Sequence, residues 1–287
     1  MIKKTTPYTI AMVLSMLLLV LADSAHGEGK KVEIVMHNDS AATDKKSSEN
    51  PTIIVAYDNN PHGEGLTTSW GFSCVIRGME KTILFDTGGN GSILLKNMQK
   101  LAISPKELDL VVISHAHEDH TGGLGAVLEK NAALKVFLPG SFPKIFKRKV
   151  EEYGAKAFIV TDFLQIMPNA YSTGELGTSI KEQALIIRTK NGLVVITGCA
   201  HPGIVQIVKR VRELIPGSVL LVMGGFHLGE NRDRIREIIR DFKKLGVQYV
   251  GPCHCSGEFA RRLFAKEYGQ NYINVGVGTV IAVDELH

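Results

Sequence analysis

The segment Ser114-His115-Ala116-His117-Glu118-Asp119-His120 limits what this chain can fold into more than any other. It leaves the end of Leu110–Ser114 (LVVIS), an apolar run without alternation that reads as a strand buried on both faces. A buried histidine normally appears singly with one partner. Three in one loop need something they can all face. Metal ligands must converge in this way, because each replaces a water and must be held at bonding distance. Turns at a strand end can aim His115 and His117 one way and Asp119 and His120 another, which suits two ions sharing one loop. A solvated polar loop is the plain alternative.

Further donors sit at the ends of other apolar runs. His201 follows the strand Leu193–Thr197 across a glycine turn and stands just before Pro202 and a helix, as a metal ligand or as a cap of that helix. His227 and His254 follow the runs Val219–Met223 and Val247–Val250. If those strands are adjacent and parallel, both histidines reach the same rim as His115. Cys199 is either a thiolate ligand or an inert buried thiol. Cys253 and Cys255 flank His254, and an extended segment would point both away from it. Asp86 ends the run Thr82–Phe85 and either caps a turn or orients an imidazole.

The rest of the chain alternates. Strands are expected at Thr52–Tyr57, Ser73–Arg77, Thr82–Phe85, Lys135–Leu138, Ala184–Arg188, Val275–Val277 and Val280–Val283. Helices are expected at Ser92–Leu101, Leu124–Lys130, Pro143–Tyr153, Gly203–Leu214 and Asp233–Leu245, the last with Ile235, Ile238, Ile239 and Phe242 on one face. Residues 139–170 read as mixed and basic. The pattern predicts an α/β (α+β) chain with two packed sheets covered by helices on both outsides, in one domain over 51–287. Glycine is abundant at 29 residues, which points to tight turns and close backbone approaches. With a net charge of +4 and no long basic run, the chain has no nucleic-acid footprint.

The N-terminus reads separately. Lys3 and Lys4, the uncharged run Ile10–Ala22 and the small residues Ala22, Ser24, Ala25 and Gly27 make a signal peptide over 1–25. The run is shorter than the ~20 residues of a membrane span, so an uncleaved anchor is the alternative and the only expected membrane contact. Residues 26–50 read as a flexible tether. The expected location is exported, periplasmic or secreted.

The motif His115-x-His117-x-Asp119-His120, preceded by Phe85-Asp86-Thr87-Gly88 and followed by Thr121-Gly122-Gly123, resembles the metallo-β-lactamase superfamily. Gly71-Phe72-Ser73, Thr197-Gly198-Cys199-Ala200-His201-Pro202-Gly203, Gly224-Gly225-Phe226-His227-Leu228 and Gly251-Pro252-Cys253-His254-Cys255-Ser256-Gly257 are similar to a subgroup of metal-dependent hydrolases, β-lactamase superfamily II. Its archaeal members include 7,8-dihydropterin-6-yl-methyl-4-(β-D-ribofuranosyl)aminobenzene 5′-phosphate synthase. The resemblance implies a four-layer αββα sandwich with the metal site at one edge of the two sheets. It implies metal ligation by His115, His117, Asp119, His120, His201 and His254, with Asp86 orienting the histidine loop. Cys199 fills the place where many members carry a bridging aspartate. His227 matches an extra histidine, a ligand or a proton donor.

The expected cofactor is one or two divalent ions, zinc first, with iron or manganese as alternatives because of the thiol at 199. A metal lowers the pKa of bound water from ~15.7 toward ~7. The expected activity is therefore hydrolysis of a small ester or phosphoester, with Asp119 orienting the attacking hydroxide and His227 assisting. A transferase like the subgroup's synthase and a non-catalytic metal or ligand sensor are the alternatives. Export argues against the transferase, whose intermediates are cytosolic. The expected partner is a small-molecule substrate.

Overall fold

Apolar runs without alternation become interior strands. In the computed structural model, which describes residues 50–287, one sheet is built from β1 (Thr52–Tyr57), β2 (Ser73–Arg77), β3 (Ile83–Phe85), β4 (Leu110–Val112), β5 (Lys135–Pro139), β6 (Lys156–Val160) and β13 (Val280–Ala282), in the order β13-β1-β2-β3-β4-β5-β6. The other contains β7 (Leu164–Met167), β8 (Ala170–Ser172), β9 (Leu185–Thr189), β10 (Gly192–Thr197), β11 (Val219–Gly225) and β12 (Tyr249–Cys253), in the order β12-β11-β10-β9-β8-β7. The signal peptide expected over 1–25 and all but the last residue of the tether expected over 26–50 lie outside the described residues.

Both sheets are mixed. Strands β3 to β6 pair in parallel, as do β10 to β12, and the remaining pairings are antiparallel. A parallel neighbour needs a crossover, usually helical. The crossovers here are α1 (Gly91–Lys100), α2 (Glu118–Thr121) with α3 (Leu124–Lys130), α4 (Lys144–Glu152), α5 (Ile204–Leu214) and α6 (Arg232–Lys244), and α7 (Glu258–Tyr268) follows β12. Parallel strands also release the chain at a common edge, which matters for the site.

Three apolar layers hold the sandwich. Phe72, Phe85 and Val112 of one sheet meet Leu185, Val194, Ile196 and Met223 of the other. Leu94, Met98, Val127 and Leu128 cover the outer face of the first sheet. Ile207, Val208, Val211, Ile238, Ile239 and Phe242 cover that of the second. Each such side chain contributes about 1.5–3 kcal/mol on full burial. The architecture is the expected four-layer αββα sandwich.

The differences have local reasons. Val275–Val277 is not a strand: only Val277 forms an isolated bridge, to Pro61. Gly276 lies so close to the chain at Asn60 and Pro61 that a Cβ there would sit 2.6 Å from the Asn60 carbonyl. Strands β6, β7 and β8 fall where the sequence reads as mixed or unassigned, because β6 and β7 are edge strands with exposed positions and little apolar signal. Helix α7 buries only Ala260 and Phe264, too few to show a helical period.

Candidate metal centre

The parallel strands deliver the donor residues to one rim. β4 releases the Ser114–His120 loop, β3 ends at Asp86, β10 leads to Cys199 and His201, β11 to His227, and β12 to His254 and Cys255. At four of these strand ends a non-glycine residue is forced into left-handed backbone: Asp86 (φ 54°), Ala200 (58°), His227 (48°) and His254 (46°). Each such residue costs about 1–3 kcal/mol and persists only where its surroundings over-determine it.

Nitrogen atoms of His115, His117 and His201 lie within 4.8 Å of one another. Donor atoms of Asp119, His120, Cys199 and His254 form a second group within the same distance. Cys199 also groups with His201 and His227, so its sulfur stands between the two sets. All seven residues expected as ligands from the sequence are thus brought together, and His227 lies beside them with its ring centroid 4.6 Å from that of His201.

Partners behind the imidazoles set which nitrogen faces the centre. Asp86 Oδ2 lies 2.7 Å from His120 Nδ1 and accepts the Ser114 hydroxyl at 2.7 Å, while Asp86 Oδ1 accepts the Ser114 N–H at 2.7 Å. With its proton committed to Asp86, Ser114 Oγ accepts from His115 Nδ1 at 2.9 Å. Asn59 Oδ1 accepts from His254 Nδ1 at 2.9 Å, and Asp58 Oδ2 accepts the His254 N–H at 3.2 Å. In His115, His120 and His254 the Nε2 lone pair is therefore left toward the centre, as a ligand requires. His115 Nε2 stands 3.1 Å from His117 Nδ1, and His120 Nε2 stands 3.2 Å from Cys199 Sγ.

One organising residue carries no sequence signal. Buried Glu182 accepts the backbone N–H groups of Gly198, Cys199 and Ala200 on Oε1 and that of His201 on Oε2, at 2.9–3.1 Å. It holds the whole loop that presents Cys199 and His201. Its neighbours in sequence form no motif, so only the packed structure brings it there. The Asp58-Asn59 pair after β1 both makes a turn, with Asp58 Oδ1 accepting the Asn60 N–H at 2.7 Å, and supports His254.

The electrostatics follow from burial and these partners. Burial pushes His115 far down, helped by the surrounding imidazoles. Burial also opposes charge on His120, but Asp86 outweighs it and raises that ring. His201 is lowered to about 4 by burial, His227 and His117. Burial would raise Asp119, yet His254 and His120 hold its carboxyl well below the usual range. The interaction of the neighbouring Cys199 and Cys255 thiols lowers Cys255 and raises Cys199.

The residues fit a divalent ion. His201 Nε2 and His254 Nε2 are buried without a hydrogen-bond partner. Asp119 Oδ2 is 3.2 Å from His254 Nε2, but with the His254 proton on Nδ1 neither of these atoms donates. Buried unpaired nitrogens cost about 1–3 kcal/mol each unless something else satisfies them. Imidazole, thiolate and carboxylate together are the donor set that zinc accepts. Above the donors an open cleft of about 490 Å³ is bordered by Trp70, Gly89, His117, Asp119, His201 and His227.

The two cysteines beside His254 do not share a side. Residues 254–256 form a 3-10 turn, so Cys253 enters the core between the sheets while Cys255 turns to the cleft. The alternation expected of an extended segment fails because the chain has already left the strand.

A sequence profile of the metallo-beta-lactamase superfamily matches residues 71–208. The 7,8-dihydropterin-6-methyl-4-(beta-D-ribofuranosyl)-aminobenzene-5′-phosphate synthase of Methanocaldococcus jannaschii is 31% identical over 250 residues, covering 71% of this chain and 85% of its own. The solved structure of Tm1679, a metal-dependent hydrolase of the beta-lactamase superfamily, is 30% identical with a TM-score of 0.68, over 80% of this chain and 98% of that one. Human tRNase Z, short form, shares the fold at 15% identity and a TM-score of 0.57, over 81% of this chain and 99% of its own.

Proposed function

The chain belongs to the metallo-β-lactamase superfamily, and on that premise we propose that it is a metal-dependent hydrolase of a small ester or phosphoester. The observation that carries this reading is the pair of donor groups lying side by side beneath one open cleft. His115, His117 and His201 would hold one ion, and Asp119, His120 and His254 the other, with Cys199 within reach of both. Zinc is the first choice, with iron or manganese as alternatives. When bound, such ions supply Lewis acidity and make a water nucleophilic at neutral pH.

The chain's own residues do the rest. Asp86, Ser114, Asn59 and Glu182 fix the ligands, so no reorganisation is needed when substrate arrives. Asp119 presents an ionised carboxylate at the cleft and can hold a proton of the attacking water. His227 borders the same cleft beside His201 and can pass a proton to the leaving oxygen. The relationship to a metal-dependent hydrolase supports this reading. The relationship to a synthase supports a second, in which the same site activates a leaving group for an acceptor other than water.

The test is metal content by mass spectrometry, followed by assays on esters, lactones and phosphoesters with zinc, manganese or iron. Metal-dependent turnover of one of these classes is expected. Metal-replete protein that hydrolyses none of them, yet joins a pterin pyrophosphate to an aminobenzene riboside, would replace the hydrolase with the transferase.

A further inference from the structure

Cys199 and Cys255 come from loops on either side of the end of β11. Cys255 Sγ lies 3.8 Å from the Cys199 carbonyl oxygen. Gly225 makes the approach feasible. A Cβ at that position would sit 2.7 Å from Cys255 Sγ and 3.2 Å from Cys199 Cα, so any side chain there would fill the space between the cysteines. Both thiols border the cleft, whereas Cys253 is buried between the sheets and Cys74 within the core. Neither Cys199 nor Cys255 is committed to a disulfide.

We propose that Cys199 and Cys255 form a site of reversible disulfide modification, and that closing this bond withdraws Cys199 from the metal donor set. The co-reactant is a low-molecular-weight disulfide. Cys255, the more exposed of the two, attacks one sulfur of that disulfide as a thiolate and forms a mixed disulfide, releasing one thiolate. The Cys199 thiolate then displaces the second, giving the Cys199–Cys255 bond. The two protein thiol protons go to the two released thiolates, and the co-reactant is reduced to two thiols. Metal and oxidant compete for the same sulfur, so a loaded site resists oxidation and an empty one accepts it. The ends of the bond lie on loops held by Glu182 and by the turn at His254, so little backbone need move.

The test uses the whole protein, metal-free and zinc-loaded, treated with oxidised glutathione and digested without reduction. Metal-free protein is expected to lose about 2 Da, the two thiol hydrogens, and to yield one linked peptide pair joining Cys199 to Cys255. Zinc is expected to protect against it, dithiothreitol to reverse it, and the oxidised protein to bind zinc about tenfold or more weakly, as when a ligand's support is removed. Cys199→Ser should stop at a glutathione adduct on Cys255, and Cys253→Ser should behave as the parent. A linked pair that includes Cys253 or Cys74, no internal link at all, or unchanged zinc affinity after linking would each overturn the proposal. None of these readouts depends on which reaction the site performs.

Discussion

Two histidines of one loop, five residues apart in number, are driven to opposite protonation preferences by what stands behind them. Burial and neighbouring imidazoles keep His115 neutral, whereas Asp86 outweighs burial at His120. In metal-free protein, ring-nitrogen NMR shifts should show His115 still neutral at about pH 5 and His120 titrating above the ordinary ~6.5. A common midpoint would mean that Asp86 is not the dominant partner. His227→Ala should keep its metal and lose ~10²–10⁴-fold in turnover, the range for a missing proton donor. Loss of metal instead would make His227 a ligand. Glu182→Gln turns one of the acceptor oxygens into an amide that meets backbone N–H donors. It should lower stability by about 2–3 kcal/mol in chemical denaturation, and an unchanged midpoint would show that the loop holds without the carboxylate.

At the scale of elements, the site depends on how closely strand ends can approach. Gly198, at the end of β10, has no room for a side chain: a Cβ would lie 2.1 Å from Ser114 Oγ and 2.9 Å from Asp86 Oδ2. Gly198→Ala should therefore push the two loops apart, cost about 1–3 kcal/mol and weaken metal binding by calorimetry. Full stability together with parental metal affinity would show that the contact can relax. Element identity was legible where burial is complete. β1, β2 and β10 match their expected runs closely, because interior strands carry apolar residues at successive positions. β6 and β7 were not, since an edge strand is exposed and its sequence looks like a loop.

For the whole molecule, the donors come from both sheets. His115, His117, Asp119 and His120 follow β4, while Cys199, His201 and His254 follow strands of the second sheet. An ion held there ties the two sheets together and favours only the folded state. At a hundredfold excess over its Kd it should add about 2.7 kcal/mol, read as a rise in Tm that a chelator reverses. Trp70 is the only tryptophan in the chain, and its ring lies 4.8 Å from that of His254. Its emission should track metal loading, and a flat signal during a verified titration would place the ion away from His254. If residues 1–25 are a cleaved signal peptide, as expected, N-terminal sequencing of protein from its native cell should find a chain that begins after Ala25. An intact Met1 would refute export.

The sequence by itself determined the chemistry on offer and the strand ends that present it. A histidine loop after a buried run, and histidines after three later runs, can be recognised because ligand type and interior strands both leave local signals. Tertiary structure alone decided how those donors divide into two sets, that Cys199 falls between them, and that Cys255 faces the cleft while Cys253 does not. It also supplied Glu182, whose role exists only because β10 and the 182 segment meet in space. These features depend on side-chain direction after left-handed turns and on contacts between residues distant in sequence. Neither is encoded in a pattern of neighbours; both arise when two sheets pack and fix the angle at which each strand ends.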